Sequence, residues 1–342
     1  MSVYPSIEKF NEYLLNKSND SSFLSLDFKG YRNKAKDLFR DKELVIKYYD
    51  SIKSKITNLK FVPEDSHILM FYDLDNTTYI SKLRFDESRL INSIVEEIYN
   101  EKNSLCVLTI EYDGTNYYGM QRQGKDNGED TIQEELEKAL KIMLKKEVLV
   151  YPASRTDKGV HAKGQVVHFD SFGIDPSQYK YALNNILPKD IRIKEAYLRS
   201  QLFNSRYDAI EKTYNYIINM EDENAFEANY MCFYKIKNIS KMRKELKTIL
   251  GTHDFLSFSK GYKEDTVRTI YDASLHLNKN KVIISITGDG FLHNMIRFIV
   301  GSLIEIDRKG FGSIKYLLDS KDKNLTPTLA PSAGLYLMKI KY

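Results

Sequence analysis

The chain has 342 residues, 42% hydrophobic and 29% charged, with a net charge of +4. That length implies two domains with room for a small third, and the balance is that of a soluble globular chain with ample core. It argues against a membrane-spanning protein, because the longest apolar runs, Phe298-Ile299-Val300 and Leu303-Ile304, are broken by glycine and charge. Cys106 and Cys232 lie far apart, with no CxxC and no His-rich partner. A zinc site or disulfide framework is therefore not expected, and a reducing cytoplasm is. The opening nine residues show neither the apolar core nor the cleavage pattern of a signal peptide.

Residues 1–103 read as a small separate α+β module. A polar stretch at 16–22 precedes a Lys- and Tyr-rich segment, about 27–60, expected to be helical. Extended segments at 68–72 and 78–83 flank a polar turn. Leu90, Ile91, Ile94, Val95 and Ile98 recur at helical spacing, which predicts a closing helix. Asp73-Leu74-Asp75-Asn76-Thr77 fits the DxDxT pattern of haloacid-dehalogenase-type phosphatases, which use two Asp and magnesium. That fold needs a long α/β domain after the motif, and only about 26 residues remain in the module. A polar hairpin turn is the better reading.

Beyond residue 103 the pattern changes. A strand at 105–110 ends at Asp113-Gly114, and Thr131 with Glu134 forms a capping box before an apolar face of Ile132, Leu136, Leu140, Met143 and Leu144. Strands are predicted at 165–169, 191–198, 209–218, 268–277, 281–287 and 335–340, and helices at 176–186, 239–250 and 292–306. Strands and helices come in unequal runs, so the class is α+β with mainly antiparallel sheet. Residues 104–204 and 205–342 have similar strand–helix make-up, which suits two related halves. Charge divides unevenly: sixteen basic against seventeen acidic residues in 1–103, thirty-five against thirty beyond. The basic part fits a polyanionic partner without requiring one.

The octapeptide Arg155-Thr156-Asp157-Lys158-Gly159-Val160-His161-Ala162 lies in that part. Tyr151-Pro152-Ala153 leads in, and the β-prone run Gln165-Val166-Val167-His168-Phe169 follows. An acid held on a short turn between two extended segments is poor core material, and flanking strands fix its direction. Alone, Arg-Thr-Asp is most often a solvated turn with a surface ion pair. His161 and His168 tempt one toward a general base, but no Ser or Cys nucleophile accompanies them, so they read as structural or as facing a polyanionic partner.

The octapeptide, with Asp113-Gly114-Thr115, Tyr118-Gly119-Met120-Gln121-Arg122-Gln123, Phe203-Asn204-Ser205-Arg206-Tyr207, Lys212-Thr213-Tyr214-Asn215-Tyr216, Val267-Arg268-Thr269-Ile270, Phe291-Leu292-His293-Asn294-Met295-Ile296-Arg297 and Gly334-Leu335-Tyr336-Leu337, resembles the tRNA pseudouridine synthase A family. The match runs in collinear order through about 104–342. The resemblance implies the pseudouridine synthase fold and an isomerisation: uridine in the tRNA anticodon stem-loop, positions 38 to 40, becomes pseudouridine. It implies Asp157 as the catalytic acid, Arg297 as its buried cation and Tyr214 as an active-site ring that stacks on the target base and takes a proton. Arg155 is implied to fill the space of the extruded nucleotide, Leu335 to form an apolar wall, and Arg122, Arg206 and Arg268 to contact RNA. No metal or organic cofactor is required, and family members are homodimers that take one RNA across both subunits.

The chain departs from the family at Met120, where the motif usually has tryptophan, and methionine stacks less well on a base. Residues 1–103 lie outside the family core, with a charge that suits protein contact or a structural role better than RNA binding. Two alternatives stand beside the main reading: the same chemistry on another RNA, and an RNA-binding or folding factor without turnover. The intact Asp157, Tyr214 and Arg297 argue against the second, because a buried charge pair is costly to keep.

Overall fold

The computed structural model describes residues 56–63, 68–74, 77–86 and 89–95 by their backbone, and 105–122, 130–199, 203–259, 265–322, 325 and 327–342 with their side chains. The chain divides into two compact units, one drawn from residues 1–105, 199–203 and 342, the other from 106–198 and 204–341.

The first unit contains a four-stranded antiparallel meander, β1 (Ile56–Pro63), β2 (Ile68–Leu74), β3 (Thr77–Asp86) and β4 (Arg89–Val95), in sequence order. Leu74 faces Thr77 across the β2–β3 connection, while Asp75 and Asn76 of the DxDxT stretch lie outside the described residues. The closing helix expected from Leu90, Ile91, Ile94 and Val95 is instead β4, with Ile91 opposite Arg84 and Val95 opposite Ile80. Seven residues cannot separate the two periods, and β-branched Ile91, Ile94 and Val95 fit a strand once β3 offers its edge. Residues 56–60, the end of the segment expected to be helical, likewise belong to β1. Residues 27–55 and Ile98 lie outside the described residues. What is described of the module is thus antiparallel sheet.

The second unit is built on a ten-stranded sheet of order β11-β12-β13-β9-β14-β7-β5-β8. Its elements in chain order are β5 (Leu105–Tyr112), α1 (Ile132–Leu144), β6 (Tyr151–Pro152), β7 (His161–Asp170), α2 (Pro176–Ile186), β8 (Ile191–Arg199), β9 (Glu211–Asn219), β10 (Cys232–Phe233), α3 (Ile239–Lys247), β11 (Gly251–Asp254), β12 (Val267–Asn278), β13 (Lys281–Gly288), α4 (Met295–Lys309), α5 (Ile314–Ser320) and β14 (Leu335–Lys341). Short β6 pairs antiparallel with β7, and β10 pairs parallel with β9. The pairs β11–β12, β12–β13, β13–β9 and β9–β14 are antiparallel, while β14 meets β7 in parallel. The fold is thus α+β with a mainly antiparallel sheet. Every strand on the β7 side of that parallel seam comes from residues 105–199, and every strand on the β14 side from 211–341.

Local chemistry explains the long elements. Thr131 caps α1 with a full capping box, its side chain accepting from Glu134 N and its own N–H donating to Glu134 Oε2. Asp175 caps α2, with Pro176 in the first turn where no N–H is needed. The apolar faces close over the sheet through fully buried Leu108, Ile110, Tyr216, Leu136 and Ile299. Both cysteines are free and buried, and burial pushes the Cys106 thiol up to about 12, which removes it from nucleophilic chemistry at neutral pH.

One helix differs from its sequence pattern in a way that shapes the site. Apolar spacing predicts a start at Leu292, but Asn294 takes a left-handed φ of 64° and α4 begins at Met295. Leu292 and His293 therefore lie before the helix, in the approach to its first turn. The middle of α4 approaches the chain at 328–330 closely. A Cβ on Gly301 would lie 1.8 Å from Thr328 O and 2.8 Å from its carbonyl carbon. Ala is favoured over Gly inside a helix by about 1 kcal/mol, but here the backbone contact wins. Gly301→Ala is expected to destabilise by about 2–3 kcal/mol net, read as a lowered urea midpoint. An unchanged or raised midpoint would show that the two segments can separate without cost.

Candidate active site

Asp157 sits on the loop between β6 and β7, and that loop is held from several sides. Ala153 N donates to Val166 O at 2.8 Å, and the Gln165 amide bridges both backbone groups of Ser154, at 3.2 Å from its N–H and 2.8 Å from its carbonyl. Lys212 Nζ donates to Ala153 O at 2.8 Å. The Tyr112 hydroxyl meets Thr156 Oγ1 at 2.8 Å in a buried contact. Asp157 O accepts from Val160 N at 3.1 Å, closing the turn. The 117–120 segment braces the far side: Met120 N donates to Thr156 O at 3.1 Å, and a Cβ on Gly119 would lie 2.3 Å from that same oxygen. Glycine at 119, with φ at 92°, is thus what lets the two backbones meet.

Two basic side chains reach the Asp157 carboxylate from around the start of α4. Arg297 Nη1 donates to Oδ2 at 3.3 Å, and His293 Nε2 lies 3.2 Å from Oδ1. The Arg297 side chain is 14% exposed and that of Asp157 27%, so the pair is shielded but open on one side. Arg297 is fixed by two more bonds, from Nε to Ala330 O at 2.8 Å and from Nη1 to Asn294 Oδ1 at 3.1 Å. Ala330 N returns a bond to Arg297 O at 3.1 Å.

Tyr214 lies at the centre of the sheet on β9, between Ile286 of β13 and Leu337 of β14. Its hydroxyl meets Ser154 Oγ at 2.9 Å, and its ring packs edge-on to Phe291 at 5.3 Å between centroids. Burial pushes its phenol up to about 12; the Ser154 bond opposes this, and the nearby Asp157 charge adds to it. At neutral pH Tyr214 offers a ring and a hydroxyl, not a phenolate, which disfavours it as the first proton acceptor. Leu335 is buried opposite Tyr216, and Leu337 is opposite Tyr214. Leu335 therefore shares the sheet face of Tyr214, one pleat along.

The structure thus brings Asp157, Tyr214 and Arg297 together. Arg155 is exposed on the same loop. Arg122 pairs with Glu137 of α1 and lies 3.8 Å from Glu134. Arg206 is exposed, its guanidinium 5.5 Å from the Tyr207 ring centre. Arg268 on β12 pairs with Asp265 at 3.0 Å. Met120, at the position where the resemblance has tryptophan, is fully buried. It fills core space, so its poorer stacking bears on packing and not on a surface base contact.

The two histidines beside the loop are structural. His161 Nδ1 accepts from Gly114 N at 3.1 Å and its Nε2 meets Asn229 O at 2.9 Å, while its ring stacks on Tyr336 at 4.7 Å. His168 Nδ1 meets Ser205 Oγ at 2.8 Å, and its ring stacks on Tyr151. Burial pushes the His161 imidazole below its ordinary 6.5, against the attraction of Asp113. The folded state then prefers the neutral ring, so this contribution is complete above about pH 6.5 and is lost as pH falls through the lower folded-state value. Stability is expected to drop on acidification with a slope of up to about 1.4 kcal/mol per pH unit from this one group. His161→Gln should flatten that slope in unfolding titrations between pH 8 and 5; an identical slope would assign the effect elsewhere.

Sequence reasoning missed His293. It stands inside a quoted motif, but its nearness to Asp157 depends on the left-handed turn at Asn294, which apolar spacing does not reveal. Ser154, Thr156 and Tyr112 were likewise illegible, because their partners come from different strands.

A carboxylate braced by an arginine, beside a buried tyrosine on an antiparallel sheet, defines a site suited to trapping or stabilising an electron-poor carbon. A family model described as tRNA pseudouridine synthase matches residues 108–208 and 246–342. The chain is 42% identical over 242 residues to tRNA pseudouridine synthase A of Clostridium acetobutylicum, covering 69% of this chain and 98% of that relative. It is 39% identical over 243 residues to the protein of that name from Bacillus subtilis, covering 68% and 97%. To that from Aster yellows witches'-broom phytoplasma it is 40% identical over 240 residues, covering 69% and 97%. The chain belongs to the tRNA pseudouridine synthase family, the RNA-modifying isomerases.

Proposed function

We propose that this protein isomerises uridine to pseudouridine at positions 38 to 40 of the tRNA anticodon stem-loop, with Asp157 as the catalytic carboxylate. The observation that supports the role of Asp157 is the Asp157–Arg297 pair, held at 3.3 Å on a loop braced from both sides. The reaction breaks the bond from C1′ to N1, turns the base, and joins C1′ to C5. The C5 hydrogen then leaves as a proton while N1 gains one, so atoms balance without an oxidant. Between the two bonds C1′ is short of electrons. A carboxylate answers that need by bonding to C1′ or by taking a proton from C2′. Arg297 orients it, and Tyr214 supplies a ring for the target base.

Arg155, exposed and two residues from Asp157, is placed to fill the gap left by the extruded nucleotide, since a guanidinium both stacks and binds phosphate. Leu335 walls the base on the sheet side. Of the remaining arginines, Arg206 is the most available to RNA. Arg122 and Arg268 must exchange an acidic partner for phosphate. Residues 1–103 act as a module outside the catalytic core, with 104–204 and 205–342 as its two halves. The assembly is a cytoplasmic homodimer.

The test uses purified protein and unmodified tRNA transcripts, with pseudouridine located by chemical mapping. Product at 38–40 is the expected result. Product confined to another RNA arm would overturn the assigned target, and no product on any tRNA would overturn the assigned activity. Light scattering of the same preparation reads the dimer directly.

A further inference from the structure

The contact between His293 and Asp157 has no part in the reaction as described, yet it occupies the carboxylate. The two basic side chains on Asp157 are held differently. Arg297 is largely buried and tied by two further bonds, to Ala330 O and Asn294 Oδ1. His293 is half exposed, lies in the turn before α4, and has Asp157 as its one ion-pair partner among the described residues. Oδ2 is thus held by a fixed group and Oδ1 by a releasable one.

Either use of the carboxylate needs a free oxygen, with a lone pair aimed at C1′ or at the hydrogen on C2′. Arg297 cannot leave without breaking its other bonds, whereas His293 frees Oδ1 by a side-chain rotation into solvent. We propose that His293 is a displaceable positioning residue: it covers Oδ1 of Asp157 in the RNA-free protein, and the target nucleotide takes its place, making Oδ1 the reacting oxygen. This rests on Asp157 being the catalytic carboxylate.

The consequence is a specific pH dependence. Imidazole is the side chain whose charge changes between pH 5 and 8. The charged groups facing His293 are Asp157 on the loop and Arg297 on α4. As imidazolium, His293 pairs with Asp157 and must be pulled away before RNA seats; as neutral imidazole it is released easily. Acidification therefore penalises the free protein and leaves the complex alone. Since kcat/KM reports groups of the free enzyme and kcat those of the complex, the penalty falls on kcat/KM.

The experiment compares wild type, His293→Gln and His293→Ala from pH 8 to 5.5 on a tRNA transcript, with thermal midpoints confirming folding. Gln keeps a neutral donor of similar reach and cannot be charged. Taking variant-to-wild-type ratios cancels pH effects common to all three proteins. The kcat/KM ratio is expected to rise by up to about fivefold toward pH 5.5 for both variants, the scale of breaking one half-exposed ion pair, while the kcat ratio stays level. A kcat/KM ratio that is flat with pH overturns the proposal. So does a kcat ratio that changes in step, which would place His293 within the reaction itself. A response in the Ala variant alone also overturns it, because charge would then be irrelevant. A wild type with no turnover, or an Asp157→Ala variant that keeps it, would instead count against the assigned activity.

Discussion

Asp157→Ala is expected to lower the single-turnover rate on tRNA by about 10⁴-fold or more, the scale reached when the reacting group of a preorganised site is deleted, while RNA binding persists. The reason lies in how the loop is built. Its position depends on backbone bonds from Thr156, Ala153 and Ser154 and on the Tyr112–Thr156 contact, none of which uses the Asp157 side chain. Removing the carboxylate should therefore leave the loop in place and delete only the chemistry. Asp157→Asn refines the result, since it keeps the size and loses the charge that Arg297 and His293 face. Filter binding at two salt concentrations checks that the RNA is still held, because phosphate contacts weaken steeply with salt. Turnover within tenfold of wild type in a clean Asp157→Ala preparation would remove Asp157 from the mechanism.

Arg297→Met should damage both fold and activity. The side chain satisfies Ala330 O, Asn294 Oδ1 and Asp157 Oδ2 at once. Its loss leaves acceptors unpaired in a region only 14% exposed on the arginine side. A cost of about 2–4 kcal/mol follows, toward the lower end because water can reach Asp157. Activity should fall by roughly 10²–10³-fold, the scale of removing one oriented charged partner from a prepared site. Arg297→Lys should recover part of the activity and little of the stability, because an ammonium restores charge without the guanidinium fork. Urea unfolding and single-turnover kinetics on the same samples separate the two losses. An Arg297→Met enzyme with wild-type turnover would make the ion pair purely structural.

By itself, the sequence determined the class and pointed to the candidate site. Capping boxes, proline at a helix start and alternating apolar strands are local signals, written in residues that are neighbours along the chain. They suffice to mark α1, α2 and the long strands of the second unit. The octapeptide with its run of collinear motifs likewise singled out Asp157, Tyr214 and Arg297. Where a pattern was short, tertiary pairing decided it: Leu90, Ile91, Ile94 and Val95 fit a helix turn or a strand equally, and β3 made them a strand. The shared surroundings of Asp157 were beyond any local pattern. His293 reaches the carboxylate only because Asn294 turns left-handed, Arg297 is fixed by a carbonyl 33 residues away, and Met120 is sealed in the core by a loop it does not adjoin in sequence. The contacts of Arg297 and His293 with Asp157 join the two halves of the sheet, which pair along the β7–β14 seam.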